Sequence, residues 1–152
     1  MQIIQATPEH LGQLVPLFDA YRVFYHQATD VEGARLFLLE RMQKAESVVF
    51  LALDEATPGR EVLGFVQLYP SFSSVSLRRL WILNDLFVDS EARKRGVATR
   101  LIERAHQLAI ETGAKGVLLE THPDNLTARR LYESIGFNRV SESYYYFRPV
   151  RK

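Results

Sequence analysis

The chain contains no cysteine. That absence excludes a disulfide framework, a Cys-ligated zinc and a thiol nucleophile together. Excess charge of one sign is also missing. The 19 Lys and Arg stand against 18 Asp and Glu, a formal net charge of +1, so nothing in the bulk balance calls for nucleic acid or an anionic membrane as partner. Long hydrophobic runs are lacking as well: the longest unbroken apolar stretch, Val48 to Leu53, is far too short to span a bilayer. The opening residues MQIIQATPEH carry neither a basic segment nor the apolar core of a secretory signal, and a cytoplasmic protein is expected. His10, His26, His106 and His122 show no H-E-x-x-H or comparable spacing, so no metal site is expected. No G-x-x-x-x-G-K-[ST] loop occurs, and Ser71, Ser73, Ser74 and Ser76 lack a G-x-S-x-G elbow. These serines read as a polar loop able to line an acceptor pocket.

What is present fits one domain over residues 1–152, a length that allows a real core. Gln2 to Ala6 reads as a short strand, and Thr7-Pro8-Glu9 as an N-cap with proline in the first helical turn. Leu11, Leu14, Val15 and Phe18 keep helical spacing, and a second helical pattern covers Arg35 to Gln43 after a break near Thr29-Asp30. Ser47 to Leu53 is rich in strand formers, Thr57-Pro58-Gly59-Arg60 is a turn, Val62 to Tyr69 alternates as the return strand, and Val75 to Val88 is extended. From Gly96 the period is helical, with Ala98, Leu101, Ile102, Ala105 and Ala109 on one stripe until Thr112-Gly113. Gly116 to Thr121 reads as a strand buried on both sides, Asn125 to Ile135 as a shorter helix stopped by Gly136, and Val140 with Tyr144 to Phe147 as closing strands. The fold class is therefore α+β, a mixed α/β unit in the order β-αα-βββ-α-β-α-ββ.

Arg93, Lys94 and Arg95 stand directly before a helix start, where a cation is least welcome. A strand ending in Leu86-Phe87-Val88, a polar turn and a helix opening on Gly96 together form an anion site, with several N–H groups pointing outward. A bound diphosphate would offset the repulsion; a solvated basic turn is the other reading. Farther on, Asn125, Ala128, Arg129 and Tyr132 share a helix face as if to line a groove. Asn125 as a plain helix cap and Tyr132 as an edge-of-core residue is the alternative.

The stretches LNDLFVDSEARKRGVATRLI and NLTARRLYESIGF resemble the GNAT superfamily of acyl-CoA-dependent N-acetyltransferases. The signature R/Q-x-x-G-x-G/A reads as Arg93 to Ala98, and N-x-x-A-x-x-x-Y-E-x-x-G-F reads as Asn125 to Phe137. Tyr21-RVFYHQ and Tyr69-PSFSSVSL further resemble histone and polyamine acetyltransferase-like members. The resemblance implies a mostly antiparallel twisted sheet with a splayed strand pair, flanked by about four helices. It implies that Leu86, Phe87 and Val88 pair with pantetheine, that Arg93, Lys94, Arg95, Gly96, Val97, Ala98 and Thr99 hold the pyrophosphate of acetyl-CoA, and that Asn125 and Ala128 flank the pantetheine arm. Tyr132 would stand near the thioester sulfur, and Ala98 replaces a glycine common in the family.

Direct transfer needs a neutral amine near the thioester carbonyl, a donor for the developing oxyanion and an acid for the departing thiolate. Tyr132 suits the acid role, and a main-chain N–H near Phe87 or Val88 suits the oxyanion. The base is open: the position where some relatives carry glutamate corresponds to about Asn84, while Asp85 and Glu120 are the nearest carboxylates, each equally readable as a structural hydrogen-bonding group. Three functions follow, in this order: acetyl transfer to a primary amine of a small molecule or a protein lysine; a non-catalytic acyl-CoA sensor; a nucleic-acid module using Arg93, Lys94, Arg95, Arg100 and Arg104, which lacks a motif and a charge excess. The aromatic strand Tyr144 to Phe147 is a candidate homodimer contact.

Overall fold

Thr7 begins the helical region by accepting the Glu9 N–H, while His10 Nδ1 accepts the Thr7 N–H at 2.9 Å, so two otherwise orphaned donors are satisfied. The computed structural model describes residues 1–56, 61–140 and 143–150. The turn read at Thr57 to Arg60 lies outside the described residues. Two compact units divide the chain, 1–120 and 121–152.

In the first unit, β1 (Gln2–Gln5) leads through a 3-10 turn to α1 (Leu11–Phe24) and α2 (Val31–Gln43). Asp30 caps α2 by accepting the Gly33 N–H at 2.9 Å. Strands β2 (Val48–Leu53), β3 (Val62–Ser73) and β4 (Arg78–Val88) follow, then α3 (Val97–Glu111) and β5 (Val117–Leu118). The sheet order is β1-β2-β3-β4-β5, antiparallel except for the last pair. Strand alternation divides the core into two faces. Val49, Leu51, Leu53 and Phe65 pack with Leu14, Phe18, Ala34 and Leu38 of α1 and α2. Phe50 turns the other way, under the Arg104 guanidinium of α3 at 4.4 Å. Large side chains such as Phe50, Phe65 and Leu14 are fully buried, each contributing roughly 1.5–3 kcal/mol relative to exposure.

Two backbone features position the site. The β3–β4 register pairs Gln67 with Asp85 but Leu68 with Leu83, so Asn84 is an extra residue on β4, a bulge. Parallel pairing of β4 with β5 covers only Trp81 with Val117 and Ile82 with Leu118, so Leu83 to Val88 run on without a β5 partner. This is the splayed pair that the resemblance implies. Gly64 closes the arrangement. A Cβ there would sit 2.9 Å from the Phe87 carbonyl oxygen and 3.1 Å from Val97 Cγ1, so only glycine lets the ends of β4 and α3 approach β3 so closely.

The strand expected over Gly116 to Thr121 and buried on both sides is corrected: β5 is two residues long, Val117 is half-buried and Leu118 is exposed. An apolar run forms ladder only where a neighbour supplies register, and β4 does so at two positions alone. In the second unit, α4 (Leu126–Ile135) begins at the Asn125 cap and ends at Gly136. The closing strands are also corrected. Val140 and Tyr144 to Phe147 are exposed and belong to no strand, since aromatic β propensity needs a ladder partner and none exists for them among the described residues. No helix among the described residues is long and apolar enough to cross a membrane.

Candidate active site

The turn before α3 is built from main chain. Asp89 accepts the Glu91 N–H at 3.1 Å and donates its own N–H to the Leu63 carbonyl at 2.8 Å, tying the turn to β3. Lys94 and Gly96 both adopt left-handed backbone, with φ of 63° and 76°. Arg93 before them is extended, and left-handed residues in a tight turn let main-chain N–H groups point outward, where an anion can accept them. Gly96 caps α3 with no side-chain hydrogen bond, so the first N–H groups of a 15-residue helix have no cap of their own. A Cβ at Gly96 would meet no atom within 4 Å, so the space in front of the main chain is open. Arg93, Lys94 and Arg95 are exposed around it. Arg95 lies only 3.9 Å from Asp54, and Arg93 Nε reaches the Val88 carbonyl at 3.4 Å. Uncapped donors, open space and three surface cations fit a diphosphate.

Beside the part of β4 that lacks a β5 partner lies a cavity of about 400 Å³ between α1, α2 and the strands β3 and β4. Phe18, Tyr21 and Arg22 of α1, Asp30 at the cap of α2, Gly33, Ala34 and Phe37 of α2, and Tyr69 of β3 form its walls, with Asp85 of β4 at its inner side. Asp85 is buried, and three neutral donors hold its carboxylate. Tyr21 Oη donates to Oδ1 at 2.8 Å, Asn84 Nδ2 donates to Oδ1 at 3.1 Å, and Gln67 Nε2 donates to Oδ2 at 2.7 Å. Burial, followed by the charge of Asp85 and its hydrogen bond, drives the Tyr21 phenol far above its ordinary range. Tyr69 is pushed up to about 12, first by burial and then by the Asp85 charge, with Arg41 opposing. Both phenols are therefore protonated at neutral pH. Phe87 is half-buried and packs on Tyr21 and Phe24, with centroids 5.6 and 5.9 Å away, which joins the cavity wall to the end of β4.

The structure thus brings Asp85 and Phe87 to one region, with Leu86 and Val88 half-buried on the same strand. Glu120 is exposed beyond β5 and is not among the cavity's lining residues. On α4, Asn125 Oδ1 accepts the Ala128 N–H at 3.1 Å, so Asn125 does cap its helix. Tyr132 is half-buried there with its ring 5.9 Å from Phe137 in an edge-on arrangement. Reading the sequence missed Gln67 and gave Tyr21 and Tyr69 no role. Gln67 did leave a trace, a lone amide inside the apolar run Leu63-Gly64-Phe65-Val66-Gln67-Leu68.

Comparison with known proteins identifies the family and the fold. A model of the acetyltransferase (GNAT) family matches residues 14–137. The uncharacterized N-acetyltransferase YhfO of Bacillus subtilis (strain 168) is 45% identical over 137 residues, 90% of this chain and 89% of its own length. A probable acetyltransferase of Haemophilus influenzae is 34% identical over 90% of each chain. A crystal structure of a probable acetyltransferase, 47% identical, superposes with a TM-score of 0.91 over 100% of this chain and 99% of that one.

Proposed function

Because the chain belongs to the acetyltransferase (GNAT) family, we propose that it moves an acetyl group from acetyl-CoA to a primary amine by direct attack, with the amine seated in the Asp85 cavity. Membership makes it an acetyl-CoA-dependent N-acetyltransferase; the amine, its seat and the residue roles are the proposal. The observation that carries it is the buried carboxylate of Asp85, oriented by Tyr21, Asn84 and Gln67 on a strand end that has no β5 partner.

Acetyl-CoA supplies a thioester whose carbonyl carbon is open to a neutral amine. The chain's residues do the rest. Main-chain N–H groups from Arg93 through Thr99 hold the diphosphate, with Arg93, Lys94 and Arg95 as surrounding cations. Leu86, Phe87 and Val88 offer the strand edge that lacks a β5 partner to the pantetheine arm, and an N–H near Phe87 or Val88 serves as oxyanion donor. Asn125 and Ala128 flank the arm. Asp85 Oδ takes one proton from the ammonium, converting it to the nucleophilic form. Tyr132 keeps a phenolic proton on Oη for the departing thiolate. Glu120, exposed, is left with the lesser role of attracting a cationic amine. The balance is one ammonium and one thioester giving one amide, one thiol and one proton.

The test follows thiol release from acetyl-CoA with a turned-over amine. Asp85→Asn should lower kcat/KM for the amine by about 10²–10⁴-fold, and Tyr132→Phe should lower kcat by a similar factor. Neither should change acetyl-CoA affinity by more than about twofold, since both groups act on charge that develops during reaction. Tight acetyl-CoA binding with no thiol release from any amine would favour a sensor instead.

A further inference from the structure

Buried carboxylates are ordinarily matched by a cation, because removing water from a lone charge costs more than neutral hydrogen bonds return. Asp85 departs from that pattern. Its hydrogen bonds come from a phenol and two amides, and among the described residues no lysine, arginine or histidine pairs with it. Asp19, the other buried carboxylate nearby, takes the Asp30 N–H at 2.8 Å and the Thr29 hydroxyl, and the charge of Arg22 faces it. The guanidinium on the cavity wall is therefore already opposed. Arg41, near Tyr69, pairs with Glu40 and Glu46 at 3.0 and 2.9 Å. What Asp85 lacks is a single positive charge, and the cavity beside it is where that charge can arrive.

The walls indicate what carries the charge. Phe18, Tyr21, Phe37 and Tyr69 present aromatic surface, which attracts an ammonium and shelters apolar carbon but offers few partners to hydroxyl-rich surface. At about 400 Å³ the space lies near the lower end for small-molecule sites. The aromatic lining continues outward: Tyr25 stands 5.1 Å from Tyr21 and 5.4 Å from Phe24, and Tyr25 and Phe24 are both 59% exposed. We infer that the ligand of this cavity is a monoamine, with its one ammonium on Asp85 and a compact aromatic or alicyclic skeleton against the four rings. A polycation, an aminosugar and a peptide amine are disfavoured because Asp85 is the one buried carboxylate of the lining, the other, Asp30, being exposed and accepting the Gly33 N–H, and because the four aromatic walls offer few partners to several hydroxyls. This inference rests on the acetyl-transfer reading only in taking the bound ligand to be the acceptor.

The experiment titrates 2-phenylethylamine, 2-phenylethanol, spermidine, kanamycin and an alanyl tetrapeptide into the full chain with CoA present, by calorimetry, and repeats the set as acceptors with acetyl-CoA. We expect 2-phenylethylamine to bind, Asp85→Asn to weaken it by about tenfold or more, and 2-phenylethanol to bind weakly and equally to both proteins. Acetylation should favour 2-phenylethylamine over the three polar amines by at least about tenfold in kcat/KM. Phe37→Ala, at a 39% exposed wall position, should cost 2-phenylethylamine a few-fold in affinity and leave spermidine unaffected, which keeps the test open should Asp85→Asn not fold. Preference for spermidine, kanamycin or the peptide, or indifference of 2-phenylethylamine binding to both substitutions, overturns the inference. The two readings fail separately. Kanamycin acetylated without 2-phenylethylamine binding keeps acetyl transfer and rejects the ligand class, whereas Asp85-dependent binding with no amine acetylated does the reverse.

Discussion

The turn from Arg93 to Thr99 presents main-chain N–H groups set by two left-handed residues close in sequence, whereas the cavity at Asp85 presents side chains drawn from α1, α2, β3 and β4. The turn is exposed and tolerant, since its donors belong to the backbone and most side chains there face solvent. The cavity is the reverse. Its carboxylate is fixed by contacts that reach 64 and 18 residues along the chain, so each contact depends on helix placement and strand register at once. A backbone-built site binds what the family shares; a side-chain-built site can differ between relatives without disturbing the fold.

The sharpest way to break this comparison is a substitution at the turn. Gly96→Glu places bulk and negative charge where space is now open, and glutamate must also take a left-handed backbone. Acetyl-CoA affinity should fall on the order of a hundredfold by calorimetry, while 2-phenylethylamine binding to the cavity should stay within about twofold. If instead Ala at Arg93, Lys94 or Arg95 matched that loss, side-chain charge and not backbone would be the main anchor.

Gln67→Leu probes the other region. It leaves Asp85 Oδ2 without its 2.7 Å donor and also removes a buried Oε1 that has no partner among the described residues. A positioning role predicts a drop in kcat for the amine of about tenfold with KM for acetyl-CoA unchanged. An equal fall in both, or lost thermal stability with normal kcat, would make Gln67 a packing residue only.

The smallest expected effect is a pH dependence confined to the cavity. Tyr69 is raised above its ordinary value to about 12, and Tyr21 is raised further. A raised phenol favours the folded state through its neutral form. That contribution is complete below about pH 10 and is lost as pH climbs through about 12. Chemical denaturation should therefore show stability declining in that window, with Tyr69→Phe reducing the decline. Absorbance at the tyrosinate band should show part of the seven-tyrosine signal delayed beyond pH 11. A single unshifted titration would contradict the burial of both phenols.

The local elements were legible in the sequence because their signals are local. Thr7, Asp30 and Asn125 each begin a helical segment by accepting N–H groups two or three residues on, and such caps show in composition. The closing strands and the length of β5 were not legible: Tyr144 to Phe147 have the residue types of a strand, yet pairing decides whether those types become one. Gln67 and Tyr21 escaped notice as site residues for the same reason, since a hydrogen bond to a residue 18 or 64 positions away leaves no periodicity.

By itself the sequence determined the order of the helices and first strands, the anion turn opening α3 and the stop of α4, all set by residues within a few positions of one another. Only the tertiary structure decided which residue of the pair Asn84-Asp85 faces the cavity. Side chains alternate along a strand, so one extra residue exchanges the two faces. The bulge at Asn84 pairs Gln67 with Asp85 and Phe65 with Phe87, which turns the carboxylate toward α1 and onto the Tyr21 hydroxyl. In an unbulged ladder continued from Leu68 and Leu83, the amide of Asn84 would stand opposite Gln67 instead. The difference rests on the pairing of two strands, and no window of the sequence records it.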